Sequence, residues 1–589
     1  MKTNSNQSSL SRYGYDMVVA VTQASVNSVM KEFMSRYEQK EYLLVLQRNF
    51  NVETETYTYI SLDPVQLGIM DKVSMLLETP TKKTDRTAEE IINYQELYRD
   101  NKVSYVCKAQ LGINPEAADK APNIIQLDKS DIDSKFNATF NPIFKEFNMI
   151  RLYSEDERVL MQKEEQPEDE IWKFAYNIKL NYQRDIPEAN LPEQIKQELK
   201  KYVPTEFSNL FDIRALYADF TTAMIKQYSP HLEEDPAVKE MVQVFFNDFV
   251  LKDLREHAEK AIFSYSIKPE TDILQKLEKA LVIPAAYKYF VSPYIDDEGE
   301  EQTDMKNLYT INYIVMEKDM KFPELKPLSW NWVSSGEEDK KHGCMAVNSV
   351  NLIRSLEKDL KEITCGAYLV PNVDLSDKFV KIDIKTSYSK SDCPAELSFV
   401  AGDNKKQYVL SYTNMSEDKV HASAAFGIAV GVKIRYELKM TINIKESNQI
   451  EIEIKNEAFI ELQTGASHSK GRMVGDIFNC LLELVTDAGG NLSVNKTLTH
   501  NHLDEDIDHN FFVDVFCMGT DRACINSISE FTEEIEKTIE TGLETKIGQV
   551  FNSNIHWVLP GGNTFIFNNP ILSEGNDLVA DLTYAANFE

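Results

Sequence analysis

The chain has 589 residues, 42% of them apolar and 10% aromatic. That composition is ample for globular folding, and the length is too great for a single hydrophobic core, so two or more domains are expected. Sixty-three Lys and Arg stand against 94 Asp and Glu, a net charge of −31, which opposes binding to nucleic acid or to anionic membrane, both polyanions.

The first residues, Met1 to Arg12, are polar and lack the apolar core of a secretory signal. No apolar run approaches the length of a spanning helix. The expectation is a protein made in the cytoplasm, without a transmembrane segment, whose release would need a non-classical route. Asp16 to Val21 reads as a short buried strand, followed by a helix carrying Val26, Val29, Met30 and Phe33 on one stripe. Residues 40–110 read mainly as strands, as in Tyr42–Leu46 and Thr56–Ile60. The region 185–265 reads as a helical insertion, with Asp235-Pro236 as N-cap and first-turn proline before Val238, Met241, Val242 and Phe245.

Acidic, glycine-containing segments at Asp296–Glu301 and Ser334–Lys341 suit solvated loops near a boundary between two units, 1–330 and 331–589. Cys344–Val347 then precedes a helix with Val350, Ile353, Leu356, Leu360 and Ile363 on one face. This strand-then-helix order echoes the N-terminal one. Strands are expected from Phe379 to Leu462, helices over Met473–Val485 and Ile528–Phe551, and closing strands around Thr564–Phe567 and Leu578–Tyr584. The closing strands are placed as a return to the first unit.

The clearest signal is a hairpin. Ile434, Tyr436, Leu438, Met440, Ile442 and Ile444 alternate with polar residues, and after Glu446–Gln449 the alternation resumes as Ile450, Ile452 and Ile454. Such alternation marks antiparallel strands with one dry and one wet face. Its first arm is roughly twice the usual strand length. A strand so long must twist and curve, so its dry face becomes a trough to be filled by a helix or a ligand. The small-residue run Ser423–Val432 leads into it and permits close approach.

Few residue clusters suggest chemistry. The seven cysteines are scattered without a Cys-x-x-Cys pair and read as free thiols. The run from His500 to His509 gathers histidines and carboxylates, with His500, His502 and Asp504 the nearest thing to metal ligands. It lacks the glycine and closing acid of an EF-hand and the His-Glu-x-x-His spacing of a zinc helix, so it reads as a solvated acidic loop. His342-Gly343-Cys344 places no base within known reach of the thiol, and Gly465–Ser469 lacks the closing glycine of a nucleophile elbow. No phosphate-binding glycine loop is present. The chain is expected to be neither an enzyme nor a cofactor carrier.

Tyr13-Gly14-Tyr15-Asp16, with Ala20-Val21 and Asn27, resembles the opening of the clostridial neurotoxin-cluster accessory proteins, the forty-seven-kilodalton and ORF-X family of the tubular lipid-binding (TULIP) superfamily. Tyr15 stands where that opening usually has Trp. Arg214–Phe220 is similar to a segment before the family's central crossover, and Pro560-Gly561-Gly562, Phe565, Phe567, Asp577-Leu578 and Thr583-Tyr584 are similar to its ending. The resemblance implies an elongated α+β fold, with long curved antiparallel sheets each wrapped around a long helix, and an apolar tube. The wall of such a tube would draw on Tyr436, Leu438, Met440 and Ile442 and on Val26, Val29, Met30 and Phe33. The function so implied is a non-enzymatic lipid-binding or toxin-accessory protein, with a lipid or other apolar ligand and a toxin or accessory protein as partners. The competing reading is a membrane-inserting or pore-forming toxin component using the 432–456 hairpin, whose arms are long enough to cross a bilayer.

Overall fold

The computed structural model describes residues 4–36, 41–113, 120–128, 137–183, 211–228, 236–252, 262–269, 282, 284–317, 322–377, 382–390, 393–394, 397–402, 406–421, 428–445, 447–487, 490, 492–508, 520–547 and 565–584. Among them the chain is α+β: antiparallel open sheets joined by few helices.

A six-stranded sheet gathers distant parts of the chain. Its order is Pro284–Ser292, Thr310–Glu317, Met17–Thr22, Gly343–Val347, Leu578–Tyr584 and Phe565–Leu572. Met17–Thr22 is buried at every position because both faces are covered: Met17, Val19 and Val21 enter one core, Val18 and Ala20 another. The two short strands that each lead into a helix pair antiparallel with one another, Met17 opposite Val347 and Val21 opposite Gly343. Gly343 is dictated by this approach, since a Cβ there would sit 2.0 Å from the Ala20 carbonyl oxygen.

The N-terminal residues fasten this sheet. The Asp16 carboxylate accepts the Glu317 N–H at 2.8 Å, and the Tyr15 hydroxyl accepts the Lys326 N–H at 2.9 Å. On the first helix, Gln23–Arg36, Asn27 exchanges two hydrogen bonds with the Ile125 backbone, as a neighbouring strand would. Val26 is buried in the core; the side chains of Val29, Met30 and Phe33 lie outside those described.

A five-stranded sheet runs Thr56–Leu62, Glu41–Asn51, Tyr105–Leu111, Phe144–Glu155, Arg158–Glu165. The expectation that residues 40–110 are mainly strand needs correction, because helices Met70–Glu78 and Ala88–Arg99 lie between its strands. The second starts at a capping box: Thr87 Oγ1 accepts the Glu90 N–H while the Glu90 carboxylate accepts the Thr87 N–H. Val73, Leu76, Tyr94 and Leu97 from these helices pack on Val45, Val106 and Ile150.

The helical reading of 185–265 is also corrected. Phe211–Tyr228 is an 18-residue strand between Phe174–Gln183 and Ile262–Pro269. Among the described residues of this region the helical part is Pro236–Phe245, continued by a wider turn to Val250 and a short run to Lys252, and Val238, Met241, Val242 and Phe245 are buried as the stripe predicts. Pairing on both sides, contributed by segments far along the chain, outweighs the local preference of the Ala- and Met-containing stretch. Asp235 lies outside the described residues, as do Pro560–Thr564; the side chains of Arg214–Phe220 are likewise not among those described.

Strands of up to 20 residues build a seven-stranded sheet: Val400–Ala401, Gln407–His421, Ala429–Ile444, Gln449–Thr464, Ser467–Thr486 and Leu492–Leu503, with Asp506–Asp508 folding back onto Ser467–Thr486. The predicted hairpin is its centre, each arm 16 residues long. The helix expected over Met473–Val485 is instead part of a 20-residue strand. Leu481-Leu482-Glu483-Leu484 has helical composition, but Phe478, Cys480, Leu482 and Leu484 alternate, and that period places them on the dry face beside Ile450–Ile454. Among the described residues two helices serve this part of the chain, Ser349–Gly366 and Thr520–Thr545.

Candidate functional site

The alternation of the central hairpin sets up the site. Register carries one face of each strand onto the next, so Ile434, Leu438, Met440 and Ile442 continue into Ile450, Ile452, Ile454 and Ile460. All are buried, as is Tyr436. Helix Ser349–Gly366 lies on this dry face: Thr364 Oγ1 stands 3.0 Å from Met440 Sδ, and the Tyr412 hydroxyl donates to the Ala367 carbonyl at 2.8 Å. Leu356, Leu360 and Ile363 share the same core with Ile535, Ile539 and Leu543 of the second helix. The two helices approach closely at Gly542, where a Cβ would lie 2.5 Å from Ile363 Cγ1.

A polar row crosses this apolar face. Leu438 pairs with Asn456, Asn456 with Asp476, and Asp476 with His502, so these side chains lie side by side across four strands. Tyr412 and Tyr436 adjoin it, their rings 6.1 Å apart. Burial raises the Tyr436 phenol pKa well above its ordinary value, so it stays protonated. The Tyr436 hydroxyl is fully buried and faces the side chains of Asn456 and Tyr412.

His500 and His502 close the row at its edge. Both reach the same oxygen of Asp476, Nε2 of His500 at 3.0 Å and Nδ1 of His502 at 2.8 Å. The other nitrogen of His500 lies 3.2 Å from the Glu536 carboxylate on helix Thr520–Thr545, and its ring stacks on Phe478 at 4.4 Å. Asp504, grouped with these histidines in the sequence, is exposed and contributes only its backbone carbonyl, to Arg472. The extended run that would align His500 through Asp508 is broken, since one strand ends at Leu503 and another begins at Asp506. Among the described residues no group of three or more His, Cys, Asp or Glu has the geometry to hold a metal. Cys344 lies deep in the six-stranded sheet, where burial pushes its thiol up to about 12 and withholds the nucleophilic thiolate.

The wet face holds a groove that sequence spacing does not announce. It measures about 270 Å³ and is lined by Lys433, Arg435, Phe459, Glu461, Lys470 and Gly471. The Arg435 guanidinium sits 4.5 Å from the Phe459 ring centre. Lys433 and Lys470 flank Glu461 on neighbouring strands, with Glu417 and Asp508 opposite them further out. Two strands supply the cations and the strand between them supplies Phe459 and Glu461, so only the register brings them together, and acids interleave with them.

No family model matches the chain, and no curated protein matches it. Among solved structures the chain is similar to P47 of Clostridium botulinum E1, at 9% identity and a TM-score of 0.42, over 97% of this chain and 100% of that one. It is also similar to a lipopolysaccharide binding protein, at 8% identity and a TM-score of 0.26, over 98% of this chain and 100% of that one. At these values neither likeness carries an argument about function. Among the described residues no helix is long and apolar enough to cross a membrane.

Proposed function

We propose that the chain is a non-enzymatic lipid-binding or accessory protein of two units, 1–330 and 331–589, each a curved sheet around a long helix. The dry face of the long sheet would hold an apolar ligand or a protein partner against helix Ser349–Gly366. The observation that carries this reading is the face itself: an aliphatic surface spanning strands of 16 to 20 residues, crossed by the buried polar side chains of Tyr436, Asn456 and Asp476. An amphiphile would supply both kinds of contact, methylenes for the aliphatic surface and a hydroxyl or carboxyl for the polar row.

Titration with fatty acids and lysolipids of increasing chain length tests the proposal. Each buried methylene contributes about 0.8 kcal/mol, so affinity is expected to rise about fourfold per carbon until the face is filled. Native mass spectrometry after gentle purification should find copurifying lipid. An empty protein with affinity indifferent to chain length would remove the carrier reading. Insertion of the 432–456 hairpin into a bilayer would have to strip both arms from ladders on either side, formed with Gln407–His421 and Ser467–Thr486. Dye release from liposomes reads that event directly, and its complete absence is expected.

A further inference from the structure

Exposed apolar surface is concentrated in one place. Of the eleven large apolar side chains exposed among the described residues, seven fall between Phe50 and Met70. They surround the strand Thr56–Leu62, which is the edge of its five-stranded sheet and pairs within it only with Glu41–Asn51. Edge strands are normally closed by a lysine, a proline, a bulge or a covering element. This one reads Thr-Tyr-Thr-Tyr-Ile-Ser-Leu, without a charge or a proline, in unbroken register, with Tyr57 45% and Ile60 48% exposed. Its β-branched and aromatic residues favour an extended partner.

The charges around this edge have one sign at its ends. Glu53 and Glu55 precede the strand and Asp63 follows it, all exposed or half-exposed, while the nearby Arg48 guanidinium is engaged over the Tyr57 ring at 3.4 Å. A second copy of the chain would bring the same acids and a further net charge of −31 to the contact. A bilayer would have to accept Glu53 and Glu55 beside Val52 at the hairpin tip.

We propose that Thr56–Leu62 is a docking edge for a basic partner protein, which adds a β-prone segment as a sixth strand and sets lysines or arginines against Glu53, Glu55 and Asp63. Main-chain hydrogen bonds would supply affinity, and the flanking charges would select the partner. The proposal is independent of ligand binding on the long sheet.

Fluorescence anisotropy with the full-length protein tests it, using a synthetic peptide with an alternating Thr-Val centre and two lysines at each end. Saturable binding is expected, about tenfold weaker at low salt when glutamates replace the lysines. N-methylation of alternate amides along one edge of the peptide should abolish binding, a comparison that needs no protein variant. Ile60→Lys should weaken binding by about tenfold without shifting the melting temperature, since the side chain is half exposed. Absence of binding, or indifference to N-methylation, would overturn the proposal. So would self-association in sedimentation velocity that Ile60→Lys abolishes, which gives the edge to a second copy. Co-sedimentation with phosphatidylcholine vesicles that Val52→Ala removes would overturn it in favour of a lipid surface.

Discussion

Leu438→Asp is expected to destabilise the protein by more than about 4 kcal/mol, enough to leave little folded material at ambient temperature. Leu438 is fully buried on the dry face, between Tyr412 and Asn456 on the neighbouring strands. A carboxylate there would lose its hydration and gain no cation. The next residue, Lys439, points to the wet face between Ser411 and Lys455 and is exposed. Lys439→Asp places an acid beside Lys455, so the change should stay within about 0.5 kcal/mol. Urea unfolding of the pair measures the contrast. Equal losses would mean that the register of the central hairpin is wrong.

Asp577→Ala should cost about 3–5 kcal/mol, because one buried carboxylate holds three separate parts of the chain. One oxygen accepts the Ser8 hydroxyl at 2.8 Å and the Leu10 N–H at 2.7 Å, and the other accepts the Ser349 N–H at 3.2 Å at the start of its helix. Alanine leaves these donors buried and unsatisfied. The carboxyl also makes stability depend on pH. Burial raises its pKa, outweighing the opposing pull of the Leu10, Ser8 and Ser349 donors. The folded protein therefore holds this proton more tightly than the unfolded chain does. Its stabilising contribution is complete below the ordinary aspartate pKa and is lost as pH rises through the raised value. Asp577→Asn removes that dependence. A difference in unfolding free energy between wild type and Asp577→Asn that stays constant across the acid range would contradict the assignment.

Legibility followed the range of the interactions. The hairpin was readable at Ile434–Ile454 because period-two alternation is written in consecutive residues, and helix Ser349–Gly366 was readable because Ile353, Leu356, Leu360 and Ile363 repeat within one element. Met473–Val485 was misread because its leucines satisfy a helix as well as a strand, and only the ladder to Gln449–Thr464 decides between them. The helix at Ala88–Arg99 did leave a local mark, Thr87 three residues before Glu90, that a search for capping boxes recovers. The polar row could not be read at all. His500 and His502 find their acid not in the adjacent Asp504 but in Asp476, which the register of two long strands delivers. The groove between Lys433 and Lys470 has the same origin, and residues so far apart in sequence leave no spacing to recognise.

The six-stranded sheet also sets a timetable for synthesis. Strand Gly343–Val347 needs Met17–Thr22 on one side and Leu578–Tyr584 on the other, and Ser8 must find Asp577 across 569 positions. Closing so large a loop comes late and slowly, since its entropy must be lost before the contact returns anything. On the ribosome, the N-terminal strand therefore waits for residues 310–347 to fill its two edges, and Gly343–Val347 then waits with one edge open until Leu578–Tyr584 is made. A nascent polypeptide in that state offers bare strand edges to chaperones and to its neighbours. Premature termination anywhere before residue 578 would yield not a smaller working protein but one whose central sheet cannot close.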